Sequence, residues 1–275
     1  MPAPHGKGVQ MKKLSYRNPV PVAAHRGNAR YCPENTMVSF RSAAALHPDM
    51  METDVHMTKD GELVLMHDHT LDRTTNGSGP VREHTLCQVQ ALDAGSWKGP
   101  EFAGERVPTL REFLDCFGAD PDMLFNIELK DYPADSGEFA LESARRTIAM
   151  LDGFGVTDRC VLNSWSGALN EWLADTYGPR VRIHGYSPQE RMGPGQRRFV
   201  YDYAYCVCLF GSRQEPVAEP GRFDFCKACG VEPWVYYSVD TPELYDAALA
   251  RGAMLFTSND PAWAMSYLRG KGLHG

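Results

Sequence analysis

Short apolar segments alternate with helical segments along most of the chain, and this alternation limits the folds that the sequence can adopt. Apolar runs of strand length occur at residues 20–24, 50–55, 62–66, 124–129, 160–163, 181–185, 203–209, 234–239 and 254–257. Segments with helical spacing lie at residues 34–46, 109–117, 137–152, 167–177, 222–229, 242–251 and 261–269. Strands that are separated by helices indicate a parallel sheet. About eight core strands fit a closed (β/α)8 barrel, that is, a TIM barrel, although a doubly wound open sheet also fits the alternation.

One segment interrupts the alternation. Residues 71–109 are rich in turn-forming residues and show weak hydrophobic periodicity, so we interpret them as a small insertion after the second strand region, on one rim of the barrel. Residues 1–18 are predicted to form a flexible arm, because they are polar and precede the first strand. The remaining residues, 19–270, are predicted to form a single barrel domain, a size that one such domain commonly has.

Composition excludes some classes of function. The formal net charge of -7 and the sequence pI of about 5.7 argue against general nucleic-acid binding, which normally needs a basic surplus. The sequence shows no signal peptide and no run of about 20 apolar residues that could span a bilayer or act as a stable membrane anchor. We therefore expect a cytoplasmic protein. The sequence gives no indication of the oligomeric state.

Ionisable residues are concentrated where predicted strands end. Seven of them lie at or just beyond strand ends: His25, Arg26, Glu52, Asp54, His67, Glu128 and Lys130. The carboxyl ends of the strands carry the active site in barrels of this kind, so these side chains are expected to converge on one rim. The three carboxylates would repel one another in a site of low dielectric constant, and a divalent cation would relieve that repulsion. Oxygen ligands suit magnesium or calcium.

The other four residues complete a set suited to phosphodiester chemistry. Two histidines, His25 and His67, can supply one acid and one base near neutral pH. The guanidinium of Arg26 offers a planar fork for phosphate oxygens. The sequence does not assign the acid and base roles between the two histidines. It also does not decide between direct attack by water and formation of a cyclic phosphate.

Several motifs in order along the chain resemble those of the glycerophosphodiester phosphodiesterase family. They are His25-Arg26-Gly27, Pro33-Glu34-Asn35-Thr36, Glu52-Thr53-Asp54-Val55, Thr58-Lys59-Asp60-Gly61, His67-Asp68, Leu71-Asp72-Arg73-Thr74-Thr75-Asn76-Gly77, Leu92-Asp93-Ala94-Gly95-Ser96-Trp97, Pro108-Thr109-Leu110 and Asn126-Ile127-Glu128-Leu129-Lys130. The resemblance is dense up to Lys130. In the C-terminal half, residues 236–239 and 257–259 depart from the family's usual runs, so we expect substrate choice to lie there.

The resemblance implies a TIM barrel that hydrolyses a glycerophosphodiester to sn-glycerol 3-phosphate and an alcohol. It implies that His25 and His67 are the acid–base pair. It also implies that Glu52, Asp54 and Glu128 bind one divalent cation, magnesium or calcium, and that Arg26 and Lys130 lie near the substrate phosphate.

Two other functions fit the same residues. A lysophospholipase D or a sphingomyelinase D-like lipid phosphodiesterase would share the barrel and the histidines, but would need an apolar channel or membrane-facing surface. A non-catalytic phosphodiester-binding protein is the alternative from another class. The sequence argues against that alternative, because every expected catalytic position is filled. We expect a small-molecule partner, and the sequence does not identify the alcohol.

Overall fold

The computed structural model describes residues 11–275, which contain nine β-strands. They are β1 (Val22–His25), β2 (Met50–Met57), β3 (Leu63–Leu65), β4 (Leu124–Leu129), β5 (Cys160–Asn163), β6 (Arg182–Ser187), β7 (Cys206–Leu209), β8 (Glu232–Tyr236) and β9 (Leu255–Ser258). Eight of these strands pair in parallel in the order β1-β9-β8-β7-β6-β5-β4-β2, and pairing of β1 with β2 closes the ring. The predicted closed barrel is therefore confirmed, and the open sheet is wrong.

Nine α-helices occur in the same residues. They are α1 (Met37–Ala44), α2 (Leu86–Gln90), α3 (Leu110–Phe117), α4 (Pro133–Ser136), α5 (Glu138–Gly153), α6 (Gly167–Tyr177), α7 (Pro220–Cys229), α8 (Pro242–Arg251) and α9 (Pro261–Gly270). The N-terminus of α3 forms the predicted capping box, in which Thr109 and Glu112 each accept a hydrogen bond from the other's backbone N–H. Aromatic packing joins this helix to the barrel, because Phe113 contacts Phe40 of α1 and Phe125 of β4.

The register of three neighbouring strands places charged residues side by side. His25 on β1 lies opposite Glu52 on β2, and Asp54 on β2 lies opposite Glu128 on β4. Residues two apart on a strand face the same side of the sheet. The side chains of Glu52 and Asp54 therefore lie on the same face of β2. The barrel then fixes which partners they meet.

The strand that precedes the insertion at residues 71–109 is not part of the barrel. Strand β3 pairs antiparallel with β2, and Val64 forms an isolated bridge with Thr109, where the chain returns to α3. Together, β3 and the insertion bury a small core of their own, which consists of Val64, Met66, Leu71, Val81, Val89, Ala94 and Val107. The insertion also donates a hydrogen bond from Lys98 Nζ to the carbonyl of Ala29, which ties it to the loop after β1.

Part of the predicted arm contacts the barrel. Leu14 is buried and its backbone N–H donates to the hydroxyl of Tyr205, while the hydroxyl of Tyr16 donates to Glu232 at the amino end of β8. Residues 11–18 therefore pack against the end of the barrel opposite the charged rim, whereas residues 1–10 lie outside the described part of the chain. The domain boundary at residue 18 stays a prediction. Among the described residues, no helix combines the length and the apolar character that a membrane span requires.

Candidate active site

A cavity of about 490 Å³ opens at the carboxyl ends of the barrel strands. Six of the seven predicted site residues line it: His25, Arg26, Glu52, His67, Glu128 and Lys130. The seventh, Asp54, is fully buried and contacts Arg26 and Lys130. The structure therefore brings all seven residues together at one end of the barrel, although they are spread over about a hundred positions of the sequence.

The three carboxylates form a compact buried cluster. One oxygen atom from each of Glu52, Asp54 and Glu128 lies within 4.8 Å of the others. Burial, followed by repulsion from Asp54, raises the pKa of Glu52 well above its ordinary value. Within the described residues, Asp54 Oδ1 accepts no hydrogen bond. Three buried carboxylates, one of which has an oxygen without a hydrogen bond, are a suitable set of ligands for a hard divalent cation.

Two cationic side chains lie against this cluster. Arg26 Nε is 3.2 Å from Asp54 Oδ2, and Lys130 Nζ lies 3.3 Å from Asp54 Oδ1 and 2.5 Å from Glu128 Oε1. Burial alone would raise the pKa of Asp54, but Lys130 and Arg26 outweigh it and hold that pKa below its ordinary value. Likewise, burial opposes the charge on Lys130, and Glu128 and Asp54 nevertheless raise its pKa. These contacts keep both cations charged beside the carboxylates.

The backbone of Arg26 is unusual and contributes to the site. Its φ angle of 53° lies in the left-handed region, which non-glycine residues seldom adopt. In this conformation its N–H donates to Glu52 Oε2 at 2.9 Å. Gly27, at a φ of 84°, lies so close to Ser39 that a Cβ would be only 2.5 Å from the Ser39 hydroxyl oxygen. The turn after β1 therefore needs glycine, and it orients Arg26 toward the carboxylates.

The ring of His25 has a defined hydrogen-bonding state. Its Nδ1 lies 2.6 Å from Asn259 Oδ1, while the amide nitrogen of Asn259 faces the Tyr236 hydroxyl and the Ser238 carbonyl. Because Asn259 thus presents its oxygen, Nδ1 of His25 is the donor and Nε2 is free to accept a proton. Burial, followed by the charge of Arg26, lowers the pKa of His25 to about 3. The ring is therefore neutral, and Nε2 lies 3.8 Å from Glu52 Oε2.

The other histidine, His67, belongs to a chain of ionic contacts. Its Nδ1 lies 2.6 Å from Asp68 Oδ1, and Asp68 in turn accepts two hydrogen bonds from Arg73. The same guanidinium donates twice to Glu34, which also accepts from Arg26. The chain joins His67 to Arg26 and hence to Asp54. The hydrogen bonds from Arg73 lower the pKa of Asp68, so the carboxylate that orients His67 stays ionised.

Some of these partners were not predicted as site residues. Asn35 donates to Asp54 Oδ2 at 2.8 Å and accepts from the Thr53 hydroxyl. It does not cap α1, because Thr36 does so. The resemblance of residues 33–36 to a family motif could have marked Asn35 as a candidate site residue. Arg73 and Asn259 lie in loops, and no periodic pattern marks them.

The remaining wall of the cavity has a different character. It is formed by residues from β5 to β9 and the loops that follow these strands: Asn163, Trp165, His184, Tyr186, Cys208, Phe210, Tyr236 and Thr257. No Asp, Glu, Lys or Arg is among these lining residues. The cavity therefore has a strongly ionic side, on β1, β2 and β4, and a largely aromatic side that faces it.

Comparison with known proteins relates this geometry to a family. The model of the glycerophosphoryl diester phosphodiesterase family matches residues 25–257. Proteins named glycerophosphodiester phosphodiesterase from Caldanaerobacter subterraneus and Bacillus subtilis are 52% identical over 109 residues and 45% identical over 121 residues. These matches cover 40% and 41% of this chain, and 44% and 41% of the relatives, so less than half of either relative is matched.

Solved structures support the same fold. A glycerophosphodiester phosphodiesterase from Agrobacterium tumefaciens superposes with a TM-score of 0.70 at 24% identity, covering 88% of this chain and 97% of that one. A phosphodiesterase from Oleispira antarctica, solved in complex with sn-glycerol-3-phosphate, gives a TM-score of 0.75 at 24% identity, with 90% and 96% covered. Because the family model extends over most of the sequence, this chain belongs to the glycerophosphoryl diester phosphodiesterase family.

Proposed function

We propose that this protein is a metal-dependent hydrolase that converts glycerophosphodiesters to sn-glycerol 3-phosphate and an alcohol. The observation that supports it most is the cluster of three buried carboxylates, Glu52, Asp54 and Glu128, which lies with two histidines at one cavity. Family membership points to the same reaction.

The ionic side of the cavity is suited to a phosphodiester. In the proposal, Glu52, Asp54 and Glu128 hold one magnesium or calcium ion, which when bound polarises a phosphoryl oxygen and offsets the charge that develops in the transition state. Arg26 and Lys130 add two positive charges beside the same carboxylates. The planar guanidinium of Arg26 and the compact ammonium of Lys130 hold and orient the phosphate oxygens of the substrate.

The two histidines are suited to different proton transfers. Neutral His25, with its proton held on Nδ1 by Asn259, presents Nε2 as the base that accepts a proton from the attacking group, which is water in direct hydrolysis or a glycerol hydroxyl if a cyclic phosphate forms first and is then hydrolysed by water. Nδ1 of His67 lies 2.6 Å from Asp68 Oδ1, so this carboxylate orients the ring. In the proposal, His67 donates a proton to the departing alcohol, and Arg73 holds Asp68 in position.

The test is an assay of two products, sn-glycerol 3-phosphate and the released headgroup alcohol. Protein treated with a chelator is supplied with magnesium or calcium and with glycerophosphocholine, glycerophosphoethanolamine or a lysophospholipid. We expect release from the deacylated substrates that depends on the added cation. Release of sn-glycerol 3-phosphate from neither deacylated substrate with either cation would refute the proposal, and release of the headgroup alcohol from the lysophospholipid alone, which leaves an acylated glycerol phosphate, would favour a lipid-directed enzyme.

Variants test the assigned residues. His25→Ala and His67→Ala should each lower kcat by at least about 100-fold, the usual contribution of a positioned acid or base. Glu52→Gln should weaken binding of the cation, measured by calorimetry, while Glu83→Gln, an exposed residue of the insertion, serves as the matched control. Full turnover by His25→Ala would contradict the mechanism. Unchanged cation binding by Glu52→Gln would contradict the ligand assignment.

A further inference from the structure

A buried histidine and a buried carboxylate lie next to the ionic side of the cavity and have no part in the proposed reaction. His56, near the end of β2, is 2% exposed, and Asp131, which follows the end of β4, is 7% exposed. His56 Nδ1 lies 2.9 Å from Asp131 Oδ1, and Asp131 Oδ2 accepts from the Met57 N–H at 2.8 Å. Burial alone would raise the pKa of Asp131, but hydrogen bonds, first the one from His56, hold it below its ordinary value. The carboxylate is therefore ionised, and Nδ1 of His56 is the donor.

The Asp131–His56 pair supports a third histidine, His69, whose ring lies in the cavity lining. The ring centroids of His56 and His69 are 5.3 Å apart, with an angle of 71° between the planes. Tyr132 makes a similar contact with His69, at 4.9 Å and 79°. Edge-to-face contacts are a preferred geometry for ring pairs. The carbonyl of His69 also accepts from the Val81 N–H at 3.0 Å, so both its ring and its backbone are held in place.

The pair is an unfavourable choice for stability alone. His56 Nε2 is buried and makes no hydrogen bond within the described part of the chain. A buried polar atom without a partner loses its hydration and gains nothing in return. An apolar residue of similar size would avoid this loss. The pair is therefore better explained by the ring that it supports at the cavity.

The proposed reaction brings the departing alcohol to His69. In that reaction His67 donates a proton to the alcohol, so the ester oxygen lies within hydrogen-bond distance of His67. His67, Asp68 and His69 are consecutive residues of the cavity lining. Asp68 is already engaged, because its oxygen atoms contact His67 and accept two hydrogen bonds from Arg73. The next side chain along this lining is that of His69, so the remainder of the alcohol arm reaches it.

We propose, resting on the function proposed above, that His69 forms a hydrogen bond with the polar group of the alcohol arm, and that the Asp131–His56 pair is a positioning unit that holds His69 in place for this contact. Burial, followed by the proximity of His56 and Lys130, lowers the pKa of His69. Its neutral ring therefore carries one donor and one acceptor. The acceptor suits an ammonium group, and both suit a hydroxyl group. An alcohol without a polar group beyond its ester oxygen leaves this ring unused.

The first test compares the ethanolamine, ethylene glycol and ethanol esters of sn-glycerol 3-phosphate, which differ only in the group on the second carbon of the alcohol. The ratio kcat/KM is measured at saturating magnesium for wild-type protein and for His69→Phe, which keeps a ring beside His56 and Tyr132 and removes both nitrogens. We expect the variant to lose about fivefold on an ester with a polar group, the usual effect of one hydrogen bond, and less than about twofold on the ethyl ester. Leaving-group reactivity cancels, because each ester is compared with itself. Whether the ethanolamine or the glycol ester shows the loss distinguishes an ammonium from a hydroxyl partner.

The second test concerns the positioning unit. His56→Phe removes the donor to Asp131 and should show the same selective loss as His69→Phe, whereas His56→Asn keeps an amide that can donate and should keep most of the selectivity. His84→Phe, in the insertion and outside the cavity lining, is the matched control. His69 is exposed, so its substitution tests the contact independently of the stability of the His56 variants.

The proposal is overturned if His69→Phe lowers kcat/KM equally on all three esters, or on none of them. Wild-type selectivity in both His56 variants would refute the positioning role. Absence of hydrolysis of all three esters by wild-type protein would instead refute the proposed function.

Discussion

Replacing Lys130 by methionine should reveal how much the ammonium group of Lys130 contributes to stability by compensating the carboxylate cluster. Lys130 is 3% exposed, and its ammonium contacts both Glu128 and Asp54. Removing one partner of a buried ion pair typically costs about 3–5 kcal/mol, because the remaining charge stays buried without compensation. Methionine has a similar length and is apolar, so little of the loss should come from packing. We therefore expect the free energy of unfolding to fall by about 3 kcal/mol in the presence of a chelator.

The assay is urea unfolding followed by circular dichroism, with chelator and then with saturating magnesium. A bound divalent cation compensates the same carboxylates, so the deficit of Lys130→Met should shrink when magnesium is added. Lys227→Met is the matched control, since Lys227 is exposed on the last turn of α7 and its loss should change stability by less than about 0.5 kcal/mol.

The loss in free energy of unfolding of Lys130→Met, relative to the wild-type protein, should also depend on pH. In the wild-type protein the folded-state pKa of Asp54 lies below its ordinary value, so this residue stabilises the fold above the unfolded pKa of about 3.9. Without Lys130 the folded-state pKa of the carboxylate rises, and ionisation then opposes folding as the pH increases. The deficit should thus be larger at pH 8 than at pH 5. A deficit below about 1 kcal/mol in chelator, or one that magnesium leaves unchanged, would refute this reasoning.

Three further predictions concern other parts of the fold. Arg73→Ala should lower kcat by about tenfold while changing stability by less than about 1 kcal/mol, because Arg73 is half-exposed but orients Asp68, the partner of the proposed catalytic residue His67. Arg82→Ala in the insertion is the control, and equal kcat for the two variants would contradict the prediction. Thr109→Ala should cost about 1 kcal/mol in urea unfolding through loss of the α3 cap, and an unchanged midpoint would contradict that. Burial alone would raise the pKa of Asp131, but hydrogen bonds from His56 and a backbone N–H lower it. The stability that Asp131 adds above about pH 3.9 should therefore be lost as the pH falls, and Asp131→Asn should be less sensitive to acid.

Much of the fold was predictable because it rests on local patterns. The alternation of apolar strands and helices predicted the barrel, and two helices, Gly167–Tyr177 and Pro242–Arg251, have the predicted bounds. The predicted strand at residues 203–209 is shorter and begins at Cys206. Residues 203 and 204 instead continue the turn of the 3-10 helix Val200–Asp202, because the backbone N–H groups of Tyr203 and Ala204 both donate to the Val200 carbonyl. Apolar and aromatic composition does not distinguish such a turn from an extended strand.

The ionic side of the site was predictable to a similar extent. Spacing along β2 and β4 placed Glu52, Asp54, Glu128 and Lys130 on faces that a parallel sheet brings together. Asn259 could not be found in this way. It follows the last strand, over 230 positions after His25, and the two residues meet only because the ring of strands closes.

The sequence by itself determined the alternation of parallel strands with helices and the residue types at the charged rim, since both follow from periodicity and from residues that recur at strand ends. Closure of the sheet into a barrel, instead of an open sheet, was decided by the tertiary structure. Only the tertiary structure decided which nitrogen of His25 carries its proton, how Arg73 joins His67 to Arg26, and that a largely aromatic side of the cavity faces the carboxylates. The physical reason is the same in each case. Hydrogen-bond direction, burial and mutual distance depend on contacts between residues that are remote in the chain, and those contacts exist only once the barrel has closed.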